Sequence, residues 1–537
     1  MLQNCFNNNF GYYIFSPDIN LQINGLKVTL FMEYIKKFIF TNKFNLVLLL
    51  IWLFVVIFIS SYHELWRDET QAWCIVRDCS LIDIYNRIRL EGHPVLWYLI
   101  LLPFAKTGIS VISMQVICVF LVFTAVVYFL FKSPVNNFIK TAVVLSSGMI
   151  YFLPVIARNY SLIPVLLFIL ADLYNRRNKN PFQYSVILIL LSNTHILMLG
   201  FCFILFLLFV FEQIKEFKKE IDTKKTSNPI SQHGADSLKT PSSQGNDLFC
   251  CSSKSPFIIR VILCIMPSIF VMLNFLVLFF MFNNMQNTNH AVAFYTQNTQ
   301  PLFEAVKNFA LLYFLYPLNI LNNINIFIFY STLAGILYFF IKRDKKLFII
   351  LLFSILYQFY IYYKIWYQGI VYQKAYLLLL IILFCYWVYG QHARKEKLLS
   401  VFVGFLFLTS LISTPFVCFL EYKMPFSSTK QAAEYIKNNL NKEKTFYAVG
   451  YPFTFTSISA YLPDKEFYSY MNNYYISYYD FDLSSDKKIS NPPDIKYYIV
   501  QSDFTMDENI FEEIYTTDNF NISTQEYKEA FKIYVRK

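Results

Sequence analysis

Charge is scarce in this chain: Asp, Glu, Lys and Arg make up 15% of its 537 residues, where a soluble protein carries about 25%. Glycine is scarcer, at 13 residues, which is incompatible with a collagen-like repeat. Cysteine is present but not organised. Cys118, Cys202, Cys264, Cys385 and Cys418 lie in apolar runs, Cys250 and Cys251 lie in a polar stretch, and none follows Cys418. This spacing makes neither a disulfide framework nor a zinc site. Cys74 and Cys79 can pair across one amphipathic turn, but two free thiols are the preferred reading. The excess of 46 Lys and Arg over 35 Asp and Glu gives a net charge of +11. No nucleic-acid motif accompanies it, so no nucleic-acid partner is expected, and cationic loops held on the cytoplasmic side of a membrane explain it.

What the chain does have is apolar length. Hydrophobic residues make up 56%, with 58 Phe and 41 Tyr, and the mean hydropathy is +0.41. The apolar character extends over most of the first 420 residues, more than a single anchor on a soluble enzyme or a disordered chain would show. Its runs are continuous and do not alternate with period two, which argues against a transmembrane barrel. The expected fold class is therefore a polytopic α-helical membrane protein.

Residues 1–31 are polar, Asn-rich and interrupted by Pro17. No cleavable signal peptide is evident, and either Met1 or Met32 is the start; N-terminal sequencing of the mature protein distinguishes them. Residues 1–43 read as a cytoplasmic N-terminal segment and 44–60 as an uncleaved anchor. The clusters Lys218/Lys219/Lys224/Lys225, Lys342/Arg343/Lys345/Lys346 and Arg394/Lys395/Lys397 are each expected in the cytoplasm. Parity then works if 109–131, 139–156, 161–174, 183–194, 196–213, 257–282, 324–341, 347–363, 371–390 and 399–418 each cross once. With the anchor this makes about eleven spans in a transmembrane domain of 44–420. The apolar stretch 94–106 lies along the outer surface or re-enters. The first outer loop is 61–108, and the polar stretch 214–256 is a flexible cytoplasmic loop without chemistry. The amphipathic segment from Pro301 to Tyr313 lies in the outer headgroup plane. The Asn/Gln/Thr-rich 283–300 is either a lid or only a loop.

After Cys418 the pattern changes. Lys430 to Leu440 reads as an amphipathic helix, and the runs starting at Thr445, Tyr497 and Ala530 read as strands. A small extracytoplasmic α/β domain over 421–537 is expected, in a multi-pass protein of the plasma (inner) membrane.

Chemistry-bearing residues gather in the first outer loop, which reads His63-Glu-Leu-Trp-Arg-Asp-Glu-Thr-Gln-Ala-Trp and continues to Gly92-His93-Pro94. Asp68, at the interface and partly desolvated, is either a base for an acceptor hydroxyl or a solvated loop acid. Arg158, in Ala157-Arg158-Asn159-Tyr160-Ser161, is expensive to hold in lipid unless paired. It reads as a partner for a lipid phosphate or as a snorkelling anchor. His195 sits in a short gap between apolar runs and reads first as a packing residue. Lys364 and Lys374 bracket an outer loop with Trp366 and Tyr367, for which an aromatic belt with basic anchors is the preferred reading.

An Asp-Glu pair at the end of the first span, followed by an amphipathic loop and a His-Pro that opens an apolar segment, resembles the GT-C glycosyltransferases. Trp66-Arg67-Asp68-Glu69-Thr70 is similar to the acidic motif of the lipid A aminoarabinose transferases, and Gly92-His93-Pro94 to the His-Pro-Pro or Lys-Pro element of the same superfamily, which includes the protein O-mannosyltransferases. Arg158 with Tyr160 resembles an Arg-x-Tyr element of bacterial members. The resemblance covers the architecture of the whole chain, but its specific motifs span about thirty residues. It implies a GT-C-like fold, with a polyprenyl-phosphate-linked sugar as donor, the lipid bilayer as its medium, and a glycan, lipid or protein as acceptor. It places Asp68 at the catalytic carboxylate, with Glu69 beside it to orient acceptor or cations. Arg158, His93, Arg67, His195 and Tyr160 are implied at the donor phosphate, with Lys364 and Lys374 as outer-loop contacts. No cofactor is required, though a carboxylate-bound divalent cation is compatible. A single Pro94 stands where Pro-Pro is frequent, and no Trp-Trp-Asp motif is recognised, which favours transfer of one sugar over transfer of an oligosaccharide. The rival readings are a transporter or lipid flippase, and a non-catalytic membrane scaffold. A transporter calls for ionisable residues midway along spans and for repeated halves. Neither is evident here.

Overall fold

The computed structural model describes residues 41–91, 93–226, 257–283, 301–364, 372–391, 396–424, 426–470, 473–479, 494–517 and 529–537. The chain divides into two compact units, Met1–Leu50 and Ile51–Lys537. Of the first, the described part is the opening of the Lys43–Ser60 helix. The contacts below lie within the second.

Seven described helices are long and apolar enough to cross a bilayer: Lys43–Ser60, Ser113–Lys132, Ile196–Lys219, Leu318–Arg343, Lys345–Lys364, Tyr372–Gly390 and Lys397–Lys423. The shortest has 18 residues, about 27 Å of helix against a hydrocarbon core of about 30 Å. Phe54, Phe120, Phe211 and Phe327 stand out from these helices uncovered, which suits a surface that meets lipid. The chain is a helical membrane protein with a small C-terminal sheet. Shorter apolar helices, Leu96–Ala105, Asn159–Tyr174, Pro181–Ser192 and Met266–Met281, pack among the long ones. Leu96–Ala105, at 10 residues, reaches only about 15 Å. Tyr372–Gly390 is the central helix, covered along nearly its whole length.

Two segments depart from the hydropathy reading. The expected span 139–156 is not one helix: it is an eight-residue helix, Asn137–Val144, followed by a π-helical turn, Gly148–Phe152. The break falls at Ser146-Ser147-Gly148. The Ser146 hydroxyl meets the Tyr376 hydroxyl at 2.7 Å, and Ser147 Oγ donates to the Tyr372 hydroxyl at 3.1 Å. Gly148 lets the backbone close on the Tyr376 ring, since a Cβ there would lie 2.2 Å from it. The expected loop 214–256 begins as helix, because Ile196–Thr226 continues well past the apolar run. Its polar turns are held from outside: Gln213 Nε2 donates to Asn178 at 2.9 Å, and Glu216 accepts from Asn178 Nδ2 at 2.6 Å. Residues 227–256 and the 283–300 lid reading, apart from Asn283, lie outside the described residues. Cys74 and Cys79 are free thiols.

The C-terminal part is a six-stranded mixed sheet in the order β3-β2-β1-β4-β6-β5. Its strands are β1 (Thr445–Val449), β2 (Glu466–Ser469), β3 (Tyr475–Ile476), β4 (Tyr497–Gln501), β5 (Phe511–Thr516) and β6 (Phe531–Arg536). β1 runs parallel to β2 and β4, while β3, β5 and β6 pair antiparallel. Period-two alternation gives it two apolar faces. Phe446, Ala448, Ile499 and Ile533 pack under the Thr429–Asn439 and Phe455–Tyr461 helices. Tyr447, Val449, Tyr498, Val500 and Tyr534 form an aromatic layer on the other side. The membrane helix before it, Lys397–Lys423, overruns the expected boundary at 421.

Candidate functional site

The segment after the Lys43–Ser60 helix is built into the protein by a buried ionic cluster. His63 places Nε2 3.0 Å from Glu69 and Nδ1 3.0 Å from Glu421, and all three side chains are fully covered. Both ring nitrogens face carboxylate oxygens, so both carry protons and the ring is an imidazolium. Burial by itself would lower the His63 pKa, but Glu69 and Glu421 together push it up to about 10. The Tyr151 hydroxyl donates to the other oxygen of Glu421. Glu69 also accepts the Trp66 N–H at 3.0 Å, closing the first turn of the Arg67–Asp78 helix, and the Ala157 N–H. It therefore joins the residue before Asp68's helix to the residue before Arg158. Expected beside Asp68, Glu69 turns inward with both oxygens occupied.

Asp68 points the other way from the first turn of that helix, with its side chain 41% exposed. Arg158 Nη1 donates to its Oδ2 at 3.1 Å, and Arg158 Nη2 lies 3.2 Å from His93 Nε2. A guanidinium only donates, so that nitrogen of His93 is the acceptor and the ring is neutral in this arrangement. His93 packs against His195, ring centroids 5.1 Å apart, and edge-on to Tyr160. His195 Nδ1 accepts the Leu197 N–H at 3.1 Å, which leaves Nε2 to donate to the Tyr160 hydroxyl at 3.2 Å. Burial first, then the neighbouring His93, Lys374 and Arg158, hold His195 well below the usual range and neutral. Asn159 Nδ2 donates to the Thr194 carbonyl at 2.6 Å and ties the turn that carries Arg158 to the turn that carries His195. Lys374, near the start of Tyr372–Gly390, interacts electrostatically with both Asp68 and Arg158. Asp68, Arg158, His93, Tyr160, His195 and Lys374 thus converge where the helices that begin at Asn159, Ile196 and Tyr372 start.

Arg67 turns toward the sheet domain. Its guanidinium lies 4.6 Å from the centre of the Phe453 ring, with Nε 3.9 Å from Glu529 and 3.6 Å from Asp68. Glu529, fully buried, accepts the Arg67 N–H at 3.1 Å and the Ser427 hydroxyl at 2.8 Å. Burial pushes its carboxyl up to about 7, against Arg67, which lowers it. Glu64 is also raised to about 7 by burial, and accepts the Lys430 N–H at 3.2 Å. Farther along the loop helix, Gln71 exchanges hydrogen bonds with the Tyr479 backbone, and Arg77 donates to the Ser459 carbonyl at 2.7 Å. The sheet domain therefore clamps the helix that carries Asp68. Lys364 stays at its helix end, exposed, with its ammonium 4.8 Å from the centre of the Tyr363 ring. Trp366 and Tyr367 lie outside the described residues.

The cavity between Asp68, Ala72, His93, Trp97, Arg158 and Asn159 holds about 20 Å³, space for one water. Among the described residues, no group of three or more His, Cys, Asp or Glu is placed to hold a metal ion. Glu421, Glu529, Tyr151 and Asn159 were not singled out from sequence. Asn159 alone had a signal, its place between Arg158 and Tyr160. Comparison with protein-family models, curated proteins and solved structures finds no match to this chain.

Proposed function

We propose that this chain is an integral membrane glycosyltransferase that moves one sugar from a polyprenyl-phosphate donor to an acceptor hydroxyl on the extracytoplasmic face of the plasma membrane. The observation that carries the reading is the meeting of Asp68 and Arg158 at 3.1 Å, one carboxylate and one guanidinium at the mouth of a helical bundle. The GT-C resemblance of the segments around Asp68 and His93 supplies the chemistry. The sheet domain clamps the Asp68 helix, so site and domain share one side of the protein, which suits a reading of about eleven spans with the N-terminus cytoplasmic.

In this mechanism the donor phosphate takes the Arg158 guanidinium from Asp68, helped by Lys374 and His93, and the freed carboxylate faces the acceptor. Asp68 removes the hydroxyl proton as the acceptor oxygen attacks the anomeric carbon. The bond from that carbon to the phosphate oxygen breaks on the opposite side, the configuration inverts, and polyprenyl phosphate leaves with the electron pair. Arg158 stabilises that charge where it develops. Glu69 and His63 keep the two reacting groups at a fixed separation. Lipid extracts of cells lacking this chain test the proposal: they are expected to accumulate one polyprenyl-phosphate sugar and to lose that sugar from an envelope acceptor. Unchanged lipid-linked sugars and unchanged glycans would overturn it.

A further inference from the structure

A second cavity lies at the other end of the same helices. Asn159–Tyr174 begins at the Asp68 site, and its last residue, Tyr174, lines this second cavity. The two ends are about 22 Å apart by helical rise. Ile196–Thr226 and Tyr372–Gly390 likewise start at the first site and contribute Glu212 and Val388 to the second. The cavity holds about 480 Å³, within the range of small-ligand sites.

Its wall is charged, with Arg177, Glu212, Lys215, Glu216, Lys219 and Lys346 around it and Asp344 at the edge. Its acids are engaged with protein donors. Glu212 takes two parallel hydrogen bonds from Arg177, at 2.9 and 2.6 Å, and a third from Lys346. Asp344 accepts the N–H groups of Lys346 and Leu347 and caps the helix that starts there. Glu216 accepts from Asn178. Lys215 and Lys219 are exposed. One turn before Lys215, Phe211 is 66% exposed, and Ile214 beside Lys215 is exposed as well.

We propose that this cavity binds the phosphate of an anionic phospholipid, taken from the leaflet opposite the Asp68 site. A phosphate meets Lys215 and Lys219 where the acids are already satisfied, and the acyl chains continue along the exposed apolar flank of Phe211 and Ile214. A soluble phosphate would find the same cations but no use for that flank.

The test uses the full-length protein in detergent and measures its retention of phosphatidylglycerol by native mass spectrometry, with phosphatidylcholine and inorganic phosphate as separate arms. Phosphatidylglycerol is expected to bind and phosphatidylcholine not. Replacing Lys215→Ala together with Lys219→Ala is expected to weaken phosphatidylglycerol roughly thirtyfold, from two interfacial cations. The Lys215→Arg, Lys219→Arg pair keeps the charge and is expected to retain binding. Equal binding of both phospholipids, or an alanine pair that binds as wild type does, would overturn the site. Inorganic phosphate that displaces phosphatidylglycerol at millimolar concentration would overturn the lipid as its occupant.

Discussion

Replacing His63→Ala removes the cation from between two buried carboxylates, and the structure sets the size of the effect. His63 sits 3.0 Å from each of Glu69 and Glu421, with all three side chains fully covered. Raising its pKa from 6.5 to about 10 corresponds to about 5 kcal/mol of preference for the charged ring. Breaking a buried pair on one side costs about 3–5 kcal/mol by an independent route. The variant should therefore lose a few kcal/mol at pH 7, read as an earlier thermal transition of the purified protein by tryptophan fluorescence. The folded pKa is raised, so the His63 contribution is fully present below pH 6.5 and is lost as pH rises through about 10. The difference between wild type and variant should shrink over that window. A variant as stable as wild type at pH 7, or a difference that grows above pH 9, would refute the account of this cluster.

The two raised acids act in the same direction, in a lower pH window. Glu64 and Glu529 both sit near 7, against 4.5 for an ordinary Glu, because of burial. The proton is held more tightly in the folded protein, so stability falls as pH rises from about 4.5 through 7; Glu529→Gln should flatten that decline in a thermal melt series, and an unchanged slope would contradict it. Gly148→Ala would drive a Cβ to 2.2 Å from the Tyr376 ring; it should cost about 1–3 kcal/mol and lower the yield of monodisperse protein on size exclusion. Arg158→Ala should weaken binding of a polyprenyl-phosphate sugar by one to two orders of magnitude, from loss of an ionic hydrogen bond of about 1.5–3 kcal/mol, as read by displacement of labelled donor.

The residues that sequence could mark are those that stand at the ends of apolar runs. Asp68, Arg158, His93 and His195 each interrupt such a run, and the physical cost of charge or polarity there is visible without coordinates. Their partners were not visible, because nothing local selects them. Glu421 reaches His63 across 358 residues and Glu529 reaches Arg67 across 462. The role of Glu69 was hidden for the same reason, since Asp68 and Glu69 are neighbours in sequence but lie on different sides of one helical turn. Hydropathy marked the long helices and missed the break at Gly148, which depends on the Tyr376 ring. It also ended the Ile196–Thr226 helix too early, where polar turns are held by Asn178 from another segment. Of the strands, β1, β4 and β6 carry dense aromatic and β-branched runs. β2, β3 and β5 are short or sit at the edge, and pairing defines them more than composition does.

Asp68→Asn, assayed for sugar transfer in liposomes that contain the lipid-linked donor accumulated by cells lacking the chain, tests the central claim most directly. The amide keeps the size of the side chain and cannot take the acceptor proton, so transfer should fall by about two to four orders of magnitude while donor binding and the thermal transition stay close to wild type. Transfer at the wild-type rate would show that Asp68 is not the base and would remove the chemical ground for reading this chain as a glycosyltransferase.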